Sequence, residues 1–263
     1  MIQNVCLGFR ESDLNTDFFK RIVDGLDPGS GLVNWTEHEF DSGSNGIITA
    51  LLGDQSSVGD KRILGFRCFT LEYTDTNLDQ SRLKQTRQKT VVLKSKATGR
   101  KIAEIFRDAC RALGGDIARG YDQYYQQMGL LNGEHRDVLT LTVDVPQLSA
   151  IRPTIHHHVY EPDREVFVYV MDDFRSKQYT HLDAVDKVWS QQEIADVLRG
   201  MAGLHARFHG RTSDVPTELA KWLDNAHTMT HKPELQFIWQ AMAEETHKHL
   251  PHLVDAELLK TLR

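Results

Sequence analysis

A chain of 263 residues, 40% hydrophobic and 26% charged, is long enough for one large core or two smaller ones, and this composition excludes a disordered polymer. The net charge of −6 and pI near 6.1 argue against a nucleic-acid binder and against a polybasic membrane protein. Three cysteines, Cys6, Cys68 and Cys110, stand far apart with no C-x-x-C spacing, so neither a disulfide framework nor a zinc knuckle is expected.

The N-terminus, MIQNVCLGFRESDL, lacks the basic start and apolar run of a signal peptide, and no segment approaches the roughly 18 consecutive apolar residues of a membrane span. A soluble protein of the cytoplasm, with no membrane and no nucleic acid as partner, is the expectation. Ser12 and Asp13 followed by Phe18, Phe19, Ile22, Val23 and Leu26 predict a capped amphipathic helix ending at Asp27-Pro28-Gly29. Residues 32–40 and 47–52 read as strands around the turn-forming DSGSNG, and 63–73 continues the β-rich region. The polar segment 74–89 has no apolar period and reads as an exposed excursion, after which Thr90–Leu93 forms a buried strand carrying Lys94 at its end. From Arg82 to Lys101 the basic residues Arg82, Lys84, Arg87, Lys89, Lys94, Lys96, Arg100 and Lys101 occur without an acid. They make a basic patch on an acidic chain.

Two helical patterns follow over 101–113 and 116–128, separated by Gly114-Gly115. A mixed loop then leads to a strand pair at 154–160 and 165–171, joined by Glu161-Pro162-Asp163-Arg164. From Ser190 onward only helices are predicted: one with Ile194, Val197, Leu198, Met201, Leu204 and Phe208 on its apolar face, then others near 216–229 and 233–249. A β-rich first part and a helical second part imply an α+β protein of two lobes. Their expected limits are 1–171 and 191–263, with a connector over 172–190.

Phosphoryl transfer asks a protein chiefly to clamp phosphates, neutralise charge and hold an acceptor hydroxyl in line. Gly43, Ser44, Asn45 and Gly46 sit between two predicted strands, where a turn without bulky side chains lets backbone N–H groups approach phosphate oxygens. An ordinary hairpin has the same composition. Lys94 closes a buried strand some way after that turn and is the candidate phosphate ligand, with Asp122 as the first choice of carboxylate to orient it and Glu104 or Asp108 as alternatives. At the end of EVFVYVMDDF, the backbone of Val170, Met171, Asp172 and Asp173 is the candidate for hydrogen bonds to an adenine edge. Asp172 and Asp173 equally suit a connector. His205 and His209, and the run His156, His157 and His158, do not make a metal motif, since there is no H-E-x-x-H and His205 falls beside an apolar stripe.

Taken in order, GSNG, VVLK, YDQYY, EVFVYVMDDF and LRGMAGLHARFHG resemble the aminoglycoside phosphotransferase-like superfamily, which includes choline and ecdysteroid kinases. The last segment is similar to that family's LAxLHA helix. The resemblance covers about residues 30 to 250 and implies a protein-kinase-like two-lobed fold, ATP bound between the lobes with Lys94 on its phosphates, Mg²⁺ bridging them, and a small molecule or small peptide as substrate. The chain departs from the family in one respect. The catalytic aspartate and metal-binding asparagine of the H-G-D-x-x-x-x-N loop belong after the helices of the second lobe, and the sequence reaches Leu262-Arg263 without them. His181-Leu182-Asp183 precedes the LHA helix, and Asp172-Asp173-Phe174 lies in the hinge. No catalytic base or metal ligand is therefore named, and the helical lobe is expected to be incomplete. Three readings remain: an ATP-dependent phosphotransferase whose catalytic loop lies outside these residues or on a second chain, a catalytically inactive kinase-like module that binds nucleotide or acts as a scaffold, completed by a partner chain, and an unrelated α+β fold for which the resemblance is chance.

Overall fold

The computed structural model describes residues 7–40, 60–74, 86–127, 129–145, 152–174, 189–209, 215–227, 233–251 and 257. The described residues are α+β, with a 5-stranded antiparallel sheet and helices. Its residues fall into two compact units, 1–97 with 137–216 and 98–136 with 217–263. This division does not follow the cut expected at the 172–190 connector, because helices that precede the connector cluster with helices that follow it.

In the first unit, α1 (Thr16–Leu26) is capped by Asn15, whose side-chain oxygen accepts from the N–H groups of Asp17 and Phe18 at 3.1 Å. Ser12, the expected cap, sits instead in a short 3-10 turn and donates its N–H and hydroxyl to Asp60 at 2.8 and 2.6 Å. Phe18, Phe19, Ile22 and Val23 are buried on one stripe of α1, as a helical period requires. They pack on the sheet formed by β1 (Gly31–His38), β2 (Gly65–Thr74), β3 (Thr86–Ser95), β4 (Ile155–Glu161) and β5 (Val166–Asp172). The strand order is β1-β2-β3-β5-β4.

Alternation along the strands sends Val91, Leu93, Val166, Val168 and Val170 into the core shared with α1. The intervening Phe167 and Tyr169 pack on the other face with Val138. Burial on both faces explains the unbroken apolar run of β5. The polar start of β3, read from sequence as an excursion, is paired all the way to Thr86 opposite Thr74. It can be polar because its side chains are exposed and only its backbone is needed; Gln88 even donates across the pair to Glu72 at 2.7 Å.

Among the described helices, one was not expected. Residues read as a mixed loop form α4 (Gly133–Thr142), whose Asp137–Thr142 end belongs to the first unit and whose start belongs to the second. The first unit also holds α5 (Gln191–Phe208), capped by Ser190 and Glu193 in a reciprocal capping box. Its expected apolar face leaves Ile194, Leu198 and Met201 exposed.

The second unit contains α2 (Gly99–Leu113), α3 (Gly115–Tyr124), the first turn of α4, α6 (Thr217–His227) and α7 (Pro233–His249). Two acceptors secure the start of α2: the Thr98 hydroxyl takes the Lys101 N–H, and the buried Glu134 carboxylate takes the Gly99 N–H at 2.8 Å. His135, beside Glu134, lies flat on Trp222 with ring centroids 4.0 Å apart. Gly120 lets α3 approach Ile238 and Phe237 of α7. None of the described helices is long and apolar enough to cross a membrane.

Candidate functional site

The register of three strands sets the surroundings of Lys94. Phe66 on β2 and Tyr169 on β5 are its direct cross-strand partners, so all three side chains share one face of the sheet. The Lys94 ammonium lies 5.2 Å from the Phe66 ring centroid and 5.7 Å from that of Tyr169. Two aromatic rings thus shield it from water while their faces favour its charge.

Its carboxylate partner is Asp137 on α4, whose Oδ2 lies 3.4 Å from the Lys94 Nζ and 2.7 Å from that of Lys96. Val138, fully buried against Phe167 and Tyr169, anchors that part of α4 to the sheet. Lys96 is fastened by its own backbone, since its N–H donates to the Phe167 carbonyl at 2.9 Å. Side-chain exposures of 25% for Lys94, 24% for Lys96 and 34% for Asp137 make this a sheltered cluster.

Burial pushes the Lys94 ammonium below its ordinary pKa, with Asp137 pulling it back and Lys96 adding to the depression. For Asp137, burial alone would raise the carboxyl, but Lys96 and Lys94 outweigh it and hold the group below the usual carboxylate range. Burial and the Asp137 charge push the Tyr169 phenol well above its normal range, so it stays protonated. At neutral pH two ammonium groups face one carboxylate. Among the described residues the cluster keeps one positive charge that Asp137 does not balance, and its natural complement is an anion with several acceptor oxygens, such as a phosphate.

Asp122, expected as the Lys94 partner, is instead taken by Arg111 within the second unit, through contacts of 2.9 and 3.0 Å. Asp108 also lies near Arg111, at 3.8 Å, and Glu104 is exposed in the same unit. The correction follows from α4: a carboxylate on an unrecognised helix reaches the sheet where none of the α2 and α3 acids was needed.

The hinge expectation also changes. Val170 and Met171 sit inside the sheet, registered with Leu93 and Val92 on one side and with His157 and Ile155 on the other. A strand paired on both sides has its peptide groups committed, so neither residue can offer an edge to adenine. The Asp172 N–H donates to the Thr154 carbonyl at 3.3 Å, and the ladder ends there. The Asp172 side chain is a tie between strands, 2.7 Å from Lys89 Nζ and 2.9 Å from His156 Nε2. Burial opposes its ionisation, yet Lys89 and His156 hold its pKa below the ordinary value. Asp173 follows the last ladder residue. Gly43, Ser44, Asn45 and Gly46 lie outside the described residues, as does His181-Leu182-Asp183.

Sequence reasoning missed Asp137 and Lys96. The spacing K-S-K across the end of β3 carried a signal for Lys96, since residues two apart in extended chain share a face. No comparable signal marked Asp137. Among the described residues no group of three or more His, Cys, Asp and Glu can hold a metal ion, so the described side chains do not fit a protein-made Mg²⁺ cage and no chemical step is assigned to one. No protein-family model, curated protein or solved structure matches the chain.

Proposed function

We propose that this chain carries the nucleotide-phosphate site of an ATP-dependent phosphotransferase that acts on a hydroxyl of a small molecule or small peptide, with Lys94 as a ligand of the nucleotide phosphates. One observation carries the reading: a sheltered lysine on the third strand of an antiparallel sheet is oriented by a carboxylate from a helix that precedes the last two strands. A strand lysine paired with a helical acid is the arrangement by which protein kinases hold ATP phosphates. The uncompensated charge at Lys94, Lys96 and Asp137 supports a phosphate as ligand, and the resemblance of the sequence motifs to small-molecule kinases supports the reaction class. The adenine edge is assigned no partner on Val170 or Met171. ATP bound at this site would supply the transferred phosphoryl group; the chain's own residues would bind its phosphates through Lys94 and fix that ammonium through Asp137.

Titration of the full chain with ATP, for the natural sequence and for Lys94→Ala, tests the reading. Loss of one charge-assisted contact of this kind costs on the order of tenfold or more in affinity. Equal affinity in the two proteins, with both folded, overturns it.

A further inference from the structure

We propose that Lys96 is a second anion-binding cation of this site, taking a phosphoryl group linked to the one that Lys94 takes, so that the site selects di- and triphosphates over monophosphates. This inference rests on the reading of Lys94 as a phosphate ligand and adds the class of anion that fits. Lys94 lies one residue before the end of β3 and Lys96 directly follows its last residue, Ser95, so in chain that stays extended their backbones are about 6–7 Å apart. Their ammonium groups converge further, because both reach the same oxygen of Asp137, at 3.4 and 2.7 Å.

Lys96 is the closer of the two and takes the larger share of the carboxylate's field, which leaves Lys94 under-compensated in a place lined by Phe66 and Tyr169. Such a charge is poorly screened by solvent. A lone phosphate seated on Lys94 leaves Lys96 to Asp137 alone. A chain of linked phosphates brings acceptor oxygens and negative charge to both ammonium groups at once, while Asp137 remains between them as the spacer that fixes their geometry. If Lys96 served only to anchor Asp137, its removal would weaken every anionic ligand by a similar factor. Selectivity between ligands therefore separates the two roles.

The test is calorimetric titration of the full chain with pyrophosphate, ATP, ADP and AMP, for the natural sequence, Lys94→Met and Lys96→Met. Lys96→Met is expected to lose about tenfold in affinity for pyrophosphate, ADP and ATP and to leave AMP unchanged. An equal loss for all four, or no loss, overturns the inference. Should Lys96→Met fail to fold, ¹³C-dimethyl-lysine spectra of the natural sequence decide: the Lys96 resonance, assigned through Lys96→Arg, must shift with pyrophosphate and not with AMP. Pyrophosphate binding that depends on Lys94 alone overturns the Lys96 role and leaves the phosphotransferase reading in place. Binding that depends on both lysines, with ATP no tighter than pyrophosphate, overturns the nucleotide reading and keeps the Lys96 role. No binding of any of the four overturns both.

Discussion

Asp137 places a single carboxylate oxygen 3.4 Å from Lys94 and 2.7 Å from Lys96, joining a helix to the third strand of the sheet through charge. The pairing is asymmetric in two senses. It has more positive charge than negative, and the lysine at the centre of the aromatic row is the more weakly held.

Replacing Lys94 with Met keeps most of the side-chain volume between Phe66 and Tyr169 and removes a charge that burial disfavours. Asp137 retains Lys96 as its partner. The expected outcome is a stability change under about 1.5 kcal/mol, the cost of a volume-conserving swap, together with loss of polyphosphate affinity. Chemical denaturation and titration with pyrophosphate on the same preparation check both halves.

Asp137→Asn has the opposite signature. Two sheltered ammonium groups lose their common counter-charge, so the fold weakens by roughly 1–3 kcal/mol, less than for a fully buried pair because the carboxylate is about one-third exposed. Anion affinity should rise, since the cluster gains a unit of net positive charge. A lower melting temperature that recovers on adding pyrophosphate would demonstrate the linkage; unchanged melting would show that Asp137 contributes nothing to holding the lysines.

His157 predicts an acid-sensitive element. On β4, facing Phe18 at a ring distance of 5.5 Å, its Nε2 is buried without a hydrogen-bond partner among the described residues. Burial, and then the neighbouring His158 and Arg21, lower its pKa from 6.5 to about 4. A histidine with a depressed folded-state pKa contributes stability that is complete above pH 6.5 and is lost as the pH falls through about 4. Urea midpoints of the natural protein should therefore drop across that window, and His157→Leu should show a shallower drop. Burial also lowers His158 and His135, so some slope remains in the variant. Identical pH profiles would refute the assignment to His157.

Gly25 permits the close approach of α1 to β4, since a Cβ there would overlap the His156 carbonyl oxygen. Backbone cannot step aside as a flexible side chain can. Gly25→Ala gains helix propensity locally but should destabilise the protein by about 1–3 kcal/mol through overpacking. A melting temperature at or above that of the natural sequence would show that the helix shifts without penalty.

Strongly periodic segments were legible in the sequence. The α1 stripe of Phe18, Phe19, Ile22 and Val23, the β4–β5 hairpin and the three C-terminal helices occur close to where apolar spacing places them. The misses have physical causes. In α4, the sequence GEHRDVLTLT offers only a weak amphipathic pattern, because its buried groups include the polar Glu134 and His135 as well as Val138. A stripe of that kind does not register as apolar. The cap of α1 went to Asn15 in place of Ser12 because Asp60, distant in sequence, claims the Ser12 N–H and hydroxyl.

The sequence by itself determined the strongly periodic segments, α1, the β4–β5 hairpin and the C-terminal helices, and that Lys94 lies near the end of a buried strand and Asp172 and Asp173 at and just past the end of another. Those properties depend on spacing and on near neighbours, which the chain carries in linear form. Tertiary structure alone decided the charge pairings. Asp137 lies with Lys94 and Lys96, Asp122 with Arg111, and Asp172 with Lys89 and His156. An ion pair depends on which elements pack face to face, and many acids along a chain are equivalent until packing brings one of them within about 4 Å of the cation.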